Sequence, residues 1–178
     1  MKNSSRFSIF PLILLLCFVF GCSKKEEKTI VENKPMDDLQ LNKIPQVVMD
    51  GLKAKFPGAE IHKWAEEKEG DIVIYDFEFR QEGRKFEADV KEDGSIYNWE
   101  KAIEAIALPE AARIAVETKY PGAPMKEIME ITSVIDGQDV LEGYEVVLET
   151  AGMKEVEVTV APGGEILEDS GEDKPEEE

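Results

Sequence analysis

One pattern in this chain occurs twice, and it limits what the chain can fold into more than any other feature. Residues 44–59 are echoed by residues 108–123 at an offset of 64 positions. Pro45 aligns with Pro109, Lys55 with Lys119, Phe56 with Tyr120, and Pro57-Gly58-Ala59 with Pro121-Gly122-Ala123. An internal repeat on this scale reads as one structural unit used twice. In each copy the proline stands where a first helical turn begins, the one helix position that loses nothing by lacking an N–H. Ile44, Val48, Leu52 and Phe56 then recur every four residues, as do Leu108, Ala112, Val116 and Tyr120, so each set shares one helix face. Each helix must stop at Pro57 or Pro121, because proline disfavours helical geometry in the residue before it. A helix this short needs a partner surface to be stable.

The following residues offer that surface. Val73, Tyr75, Phe77 and Phe79 alternate with Ile74, Asp76, Glu78 and Arg80, a period of two that predicts a half-buried strand. After the turn-like pair Glu82-Gly83, Phe86, Ala88 and Val90 alternate with Lys85, Glu87, Asp89 and Lys91, and Asp93-Gly94 signals another hairpin. The second copy repeats the plan through Tyr144, Val146 and Leu148, then Val156, Val158 and Val160, then Gly163-Gly164. Extra residues near 133–142 separate the copies by a few more positions here, and insertions between periodic segments are what a duplication tolerates. Residues 60–67 and 126–135 are the candidate first strands. Residues 102–107 read as a short extended piece or a helical turn.

The N-terminus has a different character. Lys2 and Arg6 precede an apolar run over 7–20, which is short for a membrane span and suits a signal peptide. It ends in Val19-Phe20-Gly21-Cys22, similar to the bacterial lipobox, in which the cysteine after the cleavage point carries the lipid. An ordinary signal peptide or an uncleaved anchor helix is the alternative. Cys17 leaves with such a leader and Cys22 would be acylated, so no cysteine remains for a disulfide in the exported domain. Several acyl chains would anchor the protein stably. Ser23 after the cysteine resembles the sorting pattern for the outer membrane. Losing Lys2 and Arg6 takes the formal charge from −18 to −20, which argues against nucleic acid and against direct docking on anionic lipid.

Few residues point to chemistry. His62 is the only histidine, which leaves no His-based zinc site or nucleophile–histidine pair, and its place near a strand start suggests a surface position. No phosphate-binding loop, nucleophile elbow or calcium loop is present. Asp76, Glu78, Glu87 and Asp89 should share one outward face, as should Glu145, Glu149, Glu155 and Glu157, and a solvated sheet face, partly balanced by Arg80, Lys85 and Lys91, explains them better than a paired-acid or calcium site does. Trp64 and Trp99 either complete the core or stand exposed beside Ile72 and Ile74. In the second case the tryptophans, the isoleucines, Asp76 and Glu78 would form an aromatic anchor among acids, suited to a protein partner.

With both units laid out, the chain resembles the PepSY-like family of secreted bacterial proteins, which are described as β-lactamase-inhibitor-like. The shared pattern is Ile-Pro or Leu-Pro at a helix start, aromatic-Pro-Gly-Ala at its end, and a Tyr-x-apolar strand with an Asp-Gly-type turn downstream. It spans about residues 38–168. The resemblance implies tandem α/β units with sheets joined side by side, helices on one face and an open sheet face on the other, and it implies binding or inhibition rather than catalysis.

The sequence therefore predicts an α+β fold of two tandem helix-plus-antiparallel-meander units. The expected organisation is a lipoprotein signal peptide at 1–21, a lipidated tether at 22–37, unit 1 at 38–100, unit 2 at 101–168 and an acidic tail at 169–178. The expected function is that of a non-catalytic envelope lipoprotein, anchored through Cys22 and free of any cofactor or metal, that binds a protein or peptide through its open sheet face. Inhibition or regulation of a secreted hydrolase is one alternative, and binding of cations by the acidic surface is another.

Overall fold

Pro45 and Pro109 are the N-cap residues of two ten-residue helices, α1 (Gln46–Lys55) and α2 (Glu110–Lys119). Each helix closes on an aromatic residue whose N–H returns to the last turn, Phe56 to the Leu52 carbonyl and Tyr120 to the Val116 carbonyl. The computed structural model describes residues 41–69, 72–151 and 154–171. The remaining elements are β1 (Glu60–Glu69), β2 (Ile72–Gln81), β3 (Arg84–Lys91), β4 (Ile96–Ala102), a 3-10 turn at Ala105–Ala107, β5 (Met125–Ile135), β6 (Gln138–Thr150), β7 (Lys154–Val160) and β8 (Ile166–Asp169).

All eight strands form one antiparallel sheet in sequence order, β1 to β8. Two hairpins close through two-residue turns, Glu82-Gly83 and Asp136-Gly137, whose residues all have positive φ. That is the turn whose twist matches the strands it joins. The β4–β5 connection carries α2, yet the two strands are direct neighbours, paired from Asn98↔Ser133 to Ala102↔Met129.

The α+β expectation of two tandem helix-plus-meander units is corrected here. Among the described residues the fold is mainly β, one continuous eight-stranded sheet with two helices. Two causes explain the difference. The strands are long, up to thirteen residues in β6, because polar alternation continues past the segments with clear apolar periodicity. The backbone pairing of β4 with β5 then removes the sheet boundary expected between the units.

Two buried clusters lie along the sheet. Val48, Met49, Leu52 and Phe56 of the first helical segment meet Tyr75, Phe77, Phe79, Ala88 and Val90. Leu108, Ala112 and Val116 meet Ile128, Tyr144, Val146, Leu148, Val156, Val158 and Val160. The register row Phe86–Lys101–Glu130–Tyr144–Val160 links them across one side of the sheet. Both helices therefore occupy that same side. Burying one side chain of the size of Phe77 stabilises by roughly 1.5–3 kcal/mol.

The helices also touch turn backbone closely. A Cβ on Gly94 (φ +83°) would fall 2.5 Å from the Val47 carbonyl oxygen, and one on Gly164 (φ +91°) would fall 2.7 Å from the Ala111 carbonyl oxygen. Only glycine fits at such a contact. At the far edge, Asp169 receives the Tyr120 hydroxyl at 2.6 Å and the Lys119 ammonium at 2.7 Å, which ties residue 169, assigned from sequence to a free tail, into the fold. The expected leader, Cys22 and tether lie outside the described residues, as do positions 172–178.

Candidate functional site

Strand alternation puts a second set of side chains on the side of the sheet away from both helices. One register row there reads Ala65–Asp76–Asp89–Asn98–Ser133. The next reads Lys63–Glu78–Glu87–Glu100–Ile131, and a third Ala102–Met129–Glu145–Thr159. Side chains directly opposite one another across antiparallel strands sit about 5 Å apart at Cβ. Asp76 therefore faces Asp89, and Glu87 stands between Glu78 and Glu100. Like charges in that arrangement repel.

Several of these groups are poorly hydrated as well. Asp89 is 6% exposed and Asn98 8% exposed. Burial, then the neighbouring Glu87 and Glu78, push the Asp76 carboxyl up to about 6. Burial, then Glu157 and Glu87, push Glu145 up to about 7. Glu100 is raised well above the usual carboxylate range, first by burial and then by Glu145, Glu87 and Asp89. Glu157 moves the same way, through burial and Glu155. Lys85 stands among them: its Nζ lies 2.9 Å from Glu87 Oε1 and 2.9 Å from Glu127 Oε2. Burial opposes the charge on Lys85, but Glu87 and Glu127 outweigh it and its pKa rises.

The six residues singled out from sequence divide between the two sides. Ile72, Ile74, Asp76 and Glu78 lie on the open side, with Ile72 48% exposed, Ile74 buried and Glu78 paired with Lys63. Trp64 and Trp99 lie on the helix side, both packed against the first buried cluster. Trp99 contacts the Phe56 and Phe86 rings and donates from Nε1 to Asp139 Oδ1 at 3.3 Å. Asp139 also holds the Lys55 ammonium, which lies over the Trp99 ring. The structure does not bring the tryptophans together with the other four residues.

His62, expected at the surface, is half-buried at a β-bulge, and both of its ring nitrogens are buried without a hydrogen-bond partner among the described residues. Sequence reasoning passed over Asn98, Glu100 and Glu127. The aromatic residues Tyr97 and Trp99 drew attention to the opposite phase of β4, and that alternation was the available signal for Asn98 and Glu100.

Chemically, the face is a field of crowded carboxyl groups suited to receiving positive charge. The described residues contain no group of three or more His, Cys, Asp or Glu arranged to hold a metal ion.

No family model matches the sequence, and no curated protein matches it. Solved structures do. A DUF2874 family protein from Bacteroides uniformis is 17% identical with a TM-score of 0.53, the match covering 70% of this chain and 87% of that one. A Bacteroides eggerthii protein with a proposed periplasmic location is 16% identical with a TM-score of 0.54, over 70% of this chain and 86% of that one. A BLIP-like protein from Bacteroides fragilis is 20% identical with a TM-score of 0.50, over 78% of this chain and 96% of that one. At these identities the likeness is one of fold: this chain shares the architecture of BLIP-like and DUF2874 proteins.

Proposed function

We propose that this protein is a non-catalytic, exported binding protein that engages a protein or peptide partner through its open sheet face. The observation that carries the reading is the open face itself. It holds closely spaced, poorly hydrated acids that the fold does not use for packing, while the apolar side chains of the same strands go to the helix side. Groups held at a cost to stability, with no structural use, are best explained by an external partner. The periplasmic location proposed for a protein of the same fold supports export. The lipobox-like run ending at Cys22 supports a lipid anchor, with the outer membrane as its destination, and the PepSY-like sequence pattern fits the same role.

A photo-crosslinking residue at Ser133 or Thr159, on the open side, should capture the same partner in intact cells. One at Ile114 on α2 should not. Equal capture from Ile114 would remove the open face from its role. In the same cells, Cys22→Ala should release the protein from the membrane fraction, and retention there would refute lipidation.

A second reading, inhibition or regulation of a secreted hydrolase, is favoured by one observation, the shared fold with a BLIP-like protein. Purified protein that leaves a panel of secreted hydrolases, β-lactamases included, at full activity would set it aside.

A further inference from the structure

An open sheet has two edge strands, and each edge presents N–H and C=O groups that no neighbouring strand satisfies. The two edges here differ. β8 is four residues long, and Asp169 at its end is held by Tyr120 and Lys119. β1 is ten residues long and pairs with β2 alone, so among the described residues its outer edge carries no strand. Its regular part, from Lys63 to Glu69, follows the bulge after Ile61 and pairs with β2 without interruption.

Charge usually protects such an edge from further pairing. Lys63, Glu66, Glu67 and Lys68 supply it on β1, and most registers with an added strand of the same sequence would oppose like charges. In an antiparallel pair, residues directly opposite each other both turn their N–H and C=O inward or both turn them outward. That direction alternates along a strand, so β1 can meet its own copy only with a residue on the two-fold axis, never with the axis between two residues. An axis at Lys63, Glu66, Glu67 or Lys68 sets two like charges face to face. An axis at Trp64 leaves Lys63 opposite Ala65 and drives Glu66 into the bulge at His62. An axis at Ala65 puts the smallest side chain of the strand at the centre. It also sets Lys63 opposite Glu67 of the second copy, twice.

Both of those pairs fall on the open side, where Lys63 already meets Glu78. The Lys63 side chain is 66% exposed, so its ammonium can reach a second carboxylate without leaving Glu78. On the helix side each half-buried Trp64 faces Glu66 of the second copy, whose apolar stem covers the exposed rim of the ring.

We propose that the outer edge of β1 is an interface for a second copy of this chain, joined antiparallel about Ala65 with two reciprocal Lys63–Glu67 ion pairs. Opposed side chains of an antiparallel pair share a face, so the helices of both copies stay on one side and the two open faces become one surface. A single strand pair buries far less than the roughly 1,600 Å² of a standard interface, so the association is weak and reversible.

The test uses the full chain, expressed in cells in two differently tagged forms, with a small diazirine side chain in place of Ala65. Illumination should give a product that carries both tags, and the same diazirine at Ile114 on α2 should not. Lys63→Glu in both forms should lower the two-tag product by about 10-fold or more, since each attraction becomes a repulsion, and Glu67→Lys in both forms should do the same. Lys63→Glu in one form with Glu67→Lys in the other restores opposite charges at both positions, and should return the product to within about twofold of the parent. Lys63→Glu removes the Glu78 pair whether or not its charge is matched across the axis, so that loss cannot explain the recovery. Immunoblots of total protein confirm that each variant accumulates.

No two-tag product from the parent would overturn the proposal. So would single variants that crosslink as the parent does, or a mixed pair that stays as low as the singles. A product at Ala65 that contains a different protein and no second copy would give the edge to another strand, and would overturn it equally.

Discussion

The two sides of this sheet are made from the same strands, residue by residue, and they obey opposite rules. On the helix side Phe77 and Phe79 are completely enclosed, Phe79 stacks on Phe86, and Phe56 closes over both. On the open side the intervening positions hold Asp76, Glu78, Glu87 and Asp89, which repel one another. One side stabilises the fold and the other strains it. A chain selected only for stability would place Thr, Lys and Glu alternately on the open side, with opposite charges facing across strands. The contrast assigns stability to one face and leaves the other to the binding role proposed above, and it is open to direct tests.

The largest effect should come from the helix side. Phe77→Ala removes a fully buried ring and should destabilise by about 3–5 kcal/mol, a large part of the 5–15 kcal/mol typical of a whole domain. Urea denaturation measures it. A loss under about 1 kcal/mol would mean that this cluster is not the core. Next come the glycines beneath the helices. Gly94→Ala and Gly164→Ala each combine a positive φ with a clash against a helix carbonyl, and each should cost about 2–4 kcal/mol. Gly83→Ala has a similar φ, +78°, but open space around its Cβ, and should cost only about 1 kcal/mol. The gap between Gly83 and the other two isolates helix-to-turn packing, and three equal costs would deny it.

Much of the helix side was legible in the sequence, and much of the open side was not. Prolines 45, 57, 109 and 121 bound the helices, and Glu82-Gly83 bounds a hairpin, because these are local rules acting over a few residues. The tryptophans show where such rules stop. Ile61 faces the helix side, so strict alternation would put Trp64 on the open side. A bulge between Ile61 and Lys63 adds a residue, and Trp64 turns inward opposite Phe77. In β4 the same happens between Ile96 and Asn98, which brings Trp99 opposite Ala88. One extra residue inverts every later side chain of a strand, and nothing in the local periodicity announces it. The joining of β4 to β5 was likewise hidden, since it depends on pairing between strands separated by α2.

A smaller effect follows from the acids of the open face. The folded-state pKa values of Asp76, about 6, and Glu145, about 7, lie above their ordinary values of 3.8 and 4.5. Between those limits the folded chain binds more protons than the unfolded chain, so stability should fall as pH rises from about 4 to 7 and level off above that. Burial is the main cause for both, with Glu87, Glu78 and Glu67 adding to it around Asp76, opposed by Lys63, and Glu157, Glu87 and Glu127 around Glu145, opposed by Lys85. Asp169 runs the other way. Burial raises it, but Lys119 and Tyr120 outweigh burial and lower it, so its contribution is lost only as pH falls through its depressed pKa. Asp76→Asn/Glu145→Gln should flatten the slope between pH 4 and 7 and raise Tm at pH 7.5 by about 5 °C, or about 1–2 kcal/mol after solvent screening. A Tm at pH 7.5 unchanged or lowered by the double variant would show that these acids are not strained.

The smallest effect separates crowding from pairing on the open side. Glu78 differs from Asp76 on the same strand in having an ion-pair partner, since Lys63 on β1 donates to its carboxylate. That contact raises the Lys63 pKa, chiefly through the hydrogen bond, and so helps the fold at neutral pH, below the point where Lys63 would lose its proton. The Lys63 side chain is 66% exposed, however, and pairs of that kind contribute roughly 0–1 kcal/mol. Glu78→Gln removes the attraction to Lys63 and also the repulsion from Glu87, so the two changes should nearly cancel, leaving stability within about 0.5 kcal/mol of the parent at pH 7. At 1 M salt even that residue should vanish, because the pair lies in solvent where charge is screened within a few ångströms. A loss above 1 kcal/mol would mean that the edge of the open face is built for stability, and the division of labour between the two sides would then begin further in, at Asp76.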